Sequence, residues 1–213
     1  NIMLTGATGY LGAFLLAALA DMPETRVFCL VRGTSPKDCT TRLANVLTFY
    51  FGMDICARIL GKVIVIQGDI GLDGLGIDTD TLDKLHVIDT VIHSAALTDH
   101  IGHVEAFARA NVRGTRNVAD FARSMQASLL NISTTSVSGR CFMDDPDREG
   151  VFSEKSFYIG QNTEENEYVK SKFQAERIVY DSMRNGLNAR VFRIGLLTSS
   201  VSEIGRASCR ERV

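Results

Sequence analysis

The chain has 213 residues and a formal net charge of −2, with 45% hydrophobic and 23% charged residues. That is room for one sizeable core and too little for two comfortable domains. No apolar run approaches the length of a membrane span, no signal peptide opens the chain, and the slightly acidic balance gives no support for nucleic-acid binding. Five scattered cysteines without metal-ligand spacing suggest reduced thiols and a cytoplasmic protein.

A short apolar run, Ile2–Leu4, leads into Thr5-Gly6-Ala7-Thr8-Gly9-Tyr10-Leu11-Gly12. A strong helix former, Ala13–Ala20, follows. This is a glycine-rich turn between a strand and a helix, the place where a dinucleotide pyrophosphate sits. Gly6 permits the tight turn, Gly9 lets the backbone approach the pyrophosphate, and Gly12 lets the helix lie close. The helix N-terminus supplies amide donors and a favourable dipole.

The remaining strands are expected at Val27–Val31, Lys62–Gln67, Thr90–His93, Ser128–Ile132 and Ala189–Arg193. Helical patterns fall near 10–21, 37–60, 79–86, 103–124 and 165–186. The continuous run Val63-Ile64-Val65-Ile66 reads as a strand buried on both faces. Strands alternating with helices predict a doubly wound parallel sheet, the α/β class of NAD(P)-binding Rossmann folds. The least periodic stretch, 138–162, reads as a polar loop at the carboxyl edge, where such sheets bind ligands.

The second strand ends in Arg32 where folds that prefer NAD place an acidic residue. Arginine there suits a ribose 2′-phosphate, and Arg42 on the next helix reads as a second arm. The cofactor expected is therefore NADP(H). After the third strand, Asp69 is placed to accept from the adenine amino group and Ile70 to cover the ring. After the fourth, Ser94, Ala95 and Ala96 leave room for the nicotinamide ribose. His93 has no partner at ligand spacing and reads as a packed strand histidine, so no metal site is expected.

Tyr168 and Lys172 stand four apart and share a helix face. An ammonium beside a phenol favours the phenolate and eases proton transfer. The pair follows a fifth strand that carries Ser133-Thr134-Thr135-Ser136.

With these pieces the chain resembles an extended short-chain dehydrogenase/reductase. Within that superfamily it is similar to the thioester reductase domains of nonribosomal peptide synthetases, carboxylic acid reductases and aminoadipate reductases. The matching stretches are Thr5–Gly12, Cys29–Arg32, Gly68–Ile70, His93–Ala96, Asn111–Thr115, Ile132–Val137, Tyr168–Lys172 and Phe192–Gly195. The resemblance implies that Tyr168 is the general acid. Lys172 is its partner and a holder of the nicotinamide ribose. Thr134, rather than Ser133, is the hydroxyl member. Asn111 supports an active-site water or the helix geometry. Arg193, Gly195 and Leu196 line the nicotinamide side.

It further implies NADPH-dependent reduction of an acyl thioester to an aldehyde or alcohol. The acyl group is carried on a carrier domain's phosphopantetheine arm or on coenzyme A. Two other readings stand beside it: another extended-family enzyme such as a nucleotide-sugar epimerase, and a non-catalytic NADP-sensing protein. Arg32 weighs against the first and the Tyr168/Lys172 pair against the second. The family continues past Gly195 into a smaller substrate subdomain, which is expected to be absent here. Residues 1–202 are read as the NADP-binding domain and 203–213 as an adapter-like, non-native tail.

Overall fold

The computed structural model describes residues 1–99, 102–139, 152–164 and 166–197. Six parallel strands form one sheet: β1 (Ile2–Thr5), β2 (Val27–Val31), β3 (Val63–Gln67), β4 (Thr90–His93), β5 (Ser128–Thr134) and β6 (Ala189–Ile194). Their order is β3-β2-β1-β4-β5-β6. Progression along the sheet reverses between β1 and β4, and ligands bind above such a switch point. The expected doubly wound sheet is present, with each strand end within two residues of its expected place.

Helices cover both faces: α1 (Tyr10–Ala20), α2 (Pro36–Phe51), α3 (Met53–Leu60), α4 (Thr79–Asp83), α5 (Val104–Phe107), α6 (Gly114–Ser124) and α7 (Glu167–Arg184). Successive strand residues point to opposite faces, so Met3 and Leu4 are both fully buried in different cores. Leu4, Cys29 and Val31 pack with Leu16 of α1, Leu43 and Leu47 of α2 and Ile59 of α3. Met3, Phe28, Val91 and Leu129 pack with Val118 and Ala122 of α6 and Val179 of α7. The buried positions of α1, Gly12, Ala13, Leu16 and Ala20, recur at helical spacing.

Three expectations change. The helix expected over 37–60 is two helices, because Gly52 between them has φ +82, a left-handed conformation that suits glycine. The span 103–124 contains a π-helical segment, Ala108–Arg113, between α5 and α6. Widened turns of this kind concentrate at functional sites. The run Val63–Ile66 is not buried on both faces, since β3 is the sheet edge and Ile64 is 46% exposed. Apolarity without alternation cannot distinguish a central strand from an edge.

Residues 140–151 of the polar loop and the stretch 203–213 lie outside the described residues. Cys29, Cys39 and Cys56 are free and buried. No helix among the described residues is long and apolar enough to cross a membrane.

Candidate active site

The turn after β1 is shaped by close approach. Gly6 has φ +79, and a Cβ there would stand 2.5 Å from the Ala95 amide nitrogen on the loop after β4. A Cβ on Gly12 would overlap the Gly6 carbonyl oxygen. The Gly9 N–H donates to that carbonyl at 2.9 Å and closes the turn. Gly9 caps α1 with no side-chain hydrogen bond, and no acidic residue occupies the first turn. The α1 N-terminus therefore presents backbone amides at the switch point. The Tyr10 ring packs 5.6 Å from the Tyr50 ring of α2.

The β1 and β4 ends are tied together beneath this turn. Ser94 Oγ donates to the Thr5 carbonyl at 2.7 Å, and the Ala95 N–H donates to Thr5 Oγ1 at 3.3 Å. Thr5 Oγ1 lies 2.7 Å from His93 Nδ1, and His93 Nε2 lies 3.2 Å from Thr115 Oγ1. The Thr115 hydroxyl donates to the Asn111 carbonyl at 2.6 Å, so it accepts from Nε2–H. Nδ1 then accepts the Thr5 proton, and His93 is held neutral. Burial, with Lys172 nearby, pushes its pKa down to about 3. His93 is the packed strand residue the sequence suggested. The Thr5 hydroxyl is buried and ties the turn to the end of β4.

Asn111 lies in the π-helical segment. Its Oδ1 accepts from the Leu97 N–H at 2.7 Å, and its Nδ2 donates to the Leu97 carbonyl and to Ser171 Oγ, each at 2.9 Å. Ser171 Oγ in turn donates to the Tyr168 carbonyl at 2.8 Å. The side chain ties the loop after β4 to α7 just where α7 carries Tyr168.

Asn166 caps α7. Its Oδ1 accepts from the Tyr168 and Val169 amides and fixes Tyr168 in the first turn, half-buried. One turn on, Lys172 is 5% exposed, and its Nζ donates to the Ile132 carbonyl at 2.7 Å. Burial pulls its pKa down to about 8, against an opposing pull from Glu176. The ammonium thus persists at neutral pH. Thr134 ends β5, and its Oγ1 accepts from the Ser136 N–H and donates to Ser136 Oγ, both at a long 3.2 Å. Ser133 points the other way and donates to Glu176 at 2.5 Å.

The Arg193 guanidinium binds the fully buried Glu176 carboxylate, reaches the Ser153 carbonyl at 3.3 Å, and lies 4.7 Å from the Phe152 ring centroid. It fastens β6 to α7. Gly195 and Leu196 follow β6, with Leu196 88% exposed.

At the far end of the sheet, Arg42 Nη1 donates to the Arg32 carbonyl at 2.6 Å, which sets both arginines together beyond β2. Neither guanidinium meets a carboxylate among the described residues. Asp69 accepts from the Gly71 N–H at 2.8 Å and from Arg109 at 2.9 Å, while Ile70 packs against Gly114. These contacts shape the loop after β3 that carries both residues.

The sheet order, the glycine turn at its switch point and the Tyr168/Lys172 helix define a Rossmann-fold, NAD(P)-binding protein of the short-chain dehydrogenase/reductase kind. More narrowly, the chain belongs to the NAD-binding family described as male sterility protein, whose model matches residues 4–211. It is 30% identical over 203 residues to the non-canonical nonribosomal peptide synthetase cpsA of Aspergillus campestris, covering 92% of this chain and 19% of that protein. It is 31% identical over 213 residues to the nonribosomal peptide synthetase asaC of Aspergillus flavus, covering 98% of this chain and 21% of that one.

Among solved structures, the reductase domain of an aureusimine biosynthetic cluster superposes with a TM-score of 0.78 at 35% identity, over 94% of this chain and 50% of that one. A thiolation-reductase di-domain from an archaeal nonribosomal peptide synthetase gives 0.75 at 34%, over 92% and 41%. The chain thus spans about half the length, or less, of the structures it matches.

Proposed function

We propose that this chain forms the cofactor-binding and proton-donating part of an NADPH-dependent reductase acting on an acyl thioester. The thioester is presented on the phosphopantetheine arm of a carrier domain or on coenzyme A. The observation that carries the reading is Lys172, one turn beyond Tyr168 on α7, with its Nζ donating to the Ile132 carbonyl two residues before Thr134 at the end of β5. The likeness to reductase domains of peptide synthetases gives the substrate class.

The residues present fit a 2′-phosphorylated dinucleotide. Glycines at 6 and 12 let the turn close tightly against the loop after β4 and against itself, and the uncapped α1 N-terminus offers amides to a pyrophosphate. Arg32 with Arg42 supplies two cations beyond β2 that meet no carboxylate among the described residues. Thr8, Gly9, Tyr10 and Leu11 contribute through the backbone, and Ser94, Ala95 and Ala96 floor the nicotinamide end. When bound, the nicotinamide supplies hydride to the substrate carbonyl carbon.

Everything else falls to the protein. Thr134 exchanges its long contact with Ser136 for the substrate oxygen. Tyr168 donates its phenolic proton to that oxygen as negative charge develops there. Lys172, protonated at neutral pH, stabilises the phenolate left behind. Collapse of the hemithioacetal expels the thiol and leaves an aldehyde. Asn111 and Ser171 act by holding Tyr168 and its helix in place.

The test is a substrate panel on the full-length protein with NADPH. Acyl-pantetheine thioesters should be consumed and UDP-sugars left untouched. Turnover of a sugar nucleotide with thioesters inert would reject the proposal.

A further inference from the structure

Asn131 is fully buried in the middle of β5, and neither its amide oxygen nor its amide nitrogen meets a partner. It lies in register with His93 on β4. Strand alternation puts its side chain on the same face as Leu129 and Ser133, the face covered by α6 and α7. Hydrogen-bonded chains run on either side of it. One passes from Ala95 through Thr5, His93 and Thr115 to Asn111. The other passes from Ser133 through Glu176 to Arg193.

A second deficit lies alongside. Lys172 carries three ammonium protons, and among the described residues its one hydrogen-bond acceptor is the carbonyl of Ile132, the residue after Asn131. Native interiors very seldom leave a buried amide unpaired. Buried waters recur about once per 27 residues, usually with about three hydrogen bonds, and they sit where polar groups lack partners. Asn131 Oδ1 can accept from such a water, the Lys172 ammonium can donate to it, and Ser133 Oγ can take its second proton.

We infer that Asn131 holds an internal water that links the His93 chain to the Ser133–Glu176 chain beneath Lys172, making Asn131 a positioning residue for the lysine. This rests on the reading of Lys172 as part of the reductase site.

Two observations test the water without any substrate. A high-resolution crystal structure of the full-length protein should show an ordered water within hydrogen-bond reach of both the Asn131 amide and Lys172 Nζ. A dry contact there, or an Asn131 amide bonded directly to protein, overturns the inference. The second is Asn131→Leu, which keeps the size and removes the polarity. If the amide is satisfied by water, the variant should melt about 2–4 °C lower. If the amide is an orphan, removing it raises the melting temperature, and that result also overturns the inference.

The positioning role is read from kinetics. With the thioester and NADPH, Asn131→Leu should lower kcat about tenfold while both KM values stay within about twofold, because a displaced lysine weakens proton transfer and not binding. An unchanged kcat rejects the role. Absence of thioester turnover in the wild-type protein would instead count against the function proposed above and leave the structural and melting results to decide on the water.

Discussion

Arg193 grips both oxygens of Glu176, with Nη2 2.7 Å from Oε2 and Nε 3.0 Å from Oε1. The carboxylate is fully buried one turn beyond Lys172, and Ser133 donates to it from β5. This clasp joins α7 to both β5 and β6. Breaking a buried pair from one side strands the other charge and costs about 3–5 kcal/mol, whereas replacing both partners by apolar groups is far milder. Glu176→Met and Arg193→Met should each lower the urea midpoint strongly, and the double variant should recover much of the loss. A double variant as unstable as the sum of the two would show no coupling between the charges and contradict this account.

Arg32 and Arg42 should discriminate between the two nicotinamide cofactors. A charge-assisted hydrogen bond to a phosphate contributes about 1.5–3 kcal/mol, or about 10- to 100-fold in affinity. Arg32→Ala should weaken NADPH binding by that factor and move NADH by less than about twofold. Arg42→Ala should do the same and also release the Arg32 carbonyl. Calorimetric titration of both cofactors checks this, and an unchanged NADPH affinity would sink the assignment.

His93 should make the fold acid-sensitive. Its folded pKa, near 3, lies below the ordinary value of 6.5. Between these values the unfolded chain takes up a proton that the folded chain refuses. Stability contributed by the neutral ring is therefore complete above pH 6.5 and is lost as pH falls toward 3, by a few kcal/mol in all. His93→Leu should flatten this part of the urea-midpoint profile. An equal slope in both proteins would contradict the buried neutral ring.

Lys172 should show a conflict between stability and activity. With a folded pKa near 8 against an ordinary 10.5, the unfolded chain binds more protons between those values, so this lysine makes stability rise with pH across that window. Over the same rise the ammonium is lost, and kcat/KM should fall above about pH 8. Lys172→Met should melt within a few degrees of the parent while activity drops about 10²- to 10⁴-fold. A Lys172→Met protein that keeps its rate would remove the lysine from the mechanism.

Much of this was legible in the amino-acid order. Glycines at 6, 9 and 12 announce a turn because few other residues fit its close approaches, and Tyr168 with Lys172 announces a helix face because four residues make about one turn. The strands show themselves through short apolar runs spaced by helical patterns.

What stayed hidden is partnership at long range. Nothing near Arg193 in the chain says that its guanidinium meets Glu176, although Glu176 stands on the same helical stripe as Tyr168 and Lys172, and that spacing was a usable signal. The Thr5–His93–Thr115 chain joins three elements by strand register and helix packing, which a linear pattern does not encode. The edge position of β3 was hidden for the same reason: exposure belongs to the sheet and not to the strand.

The most direct test of the central claim follows a labelled hydride. The full-length protein is given an acyl thioester on its carrier and NADPH deuterated at the transferable C4 position, and the trapped product is analysed by mass spectrometry. Thioester reduction predicts one deuterium on the former carbonyl carbon of an aldehyde, or two on that carbon of an alcohol, with the signal lost in Tyr168→Phe. Release of the acyl group as an unlabelled acid, with NADPH intact, would contradict it.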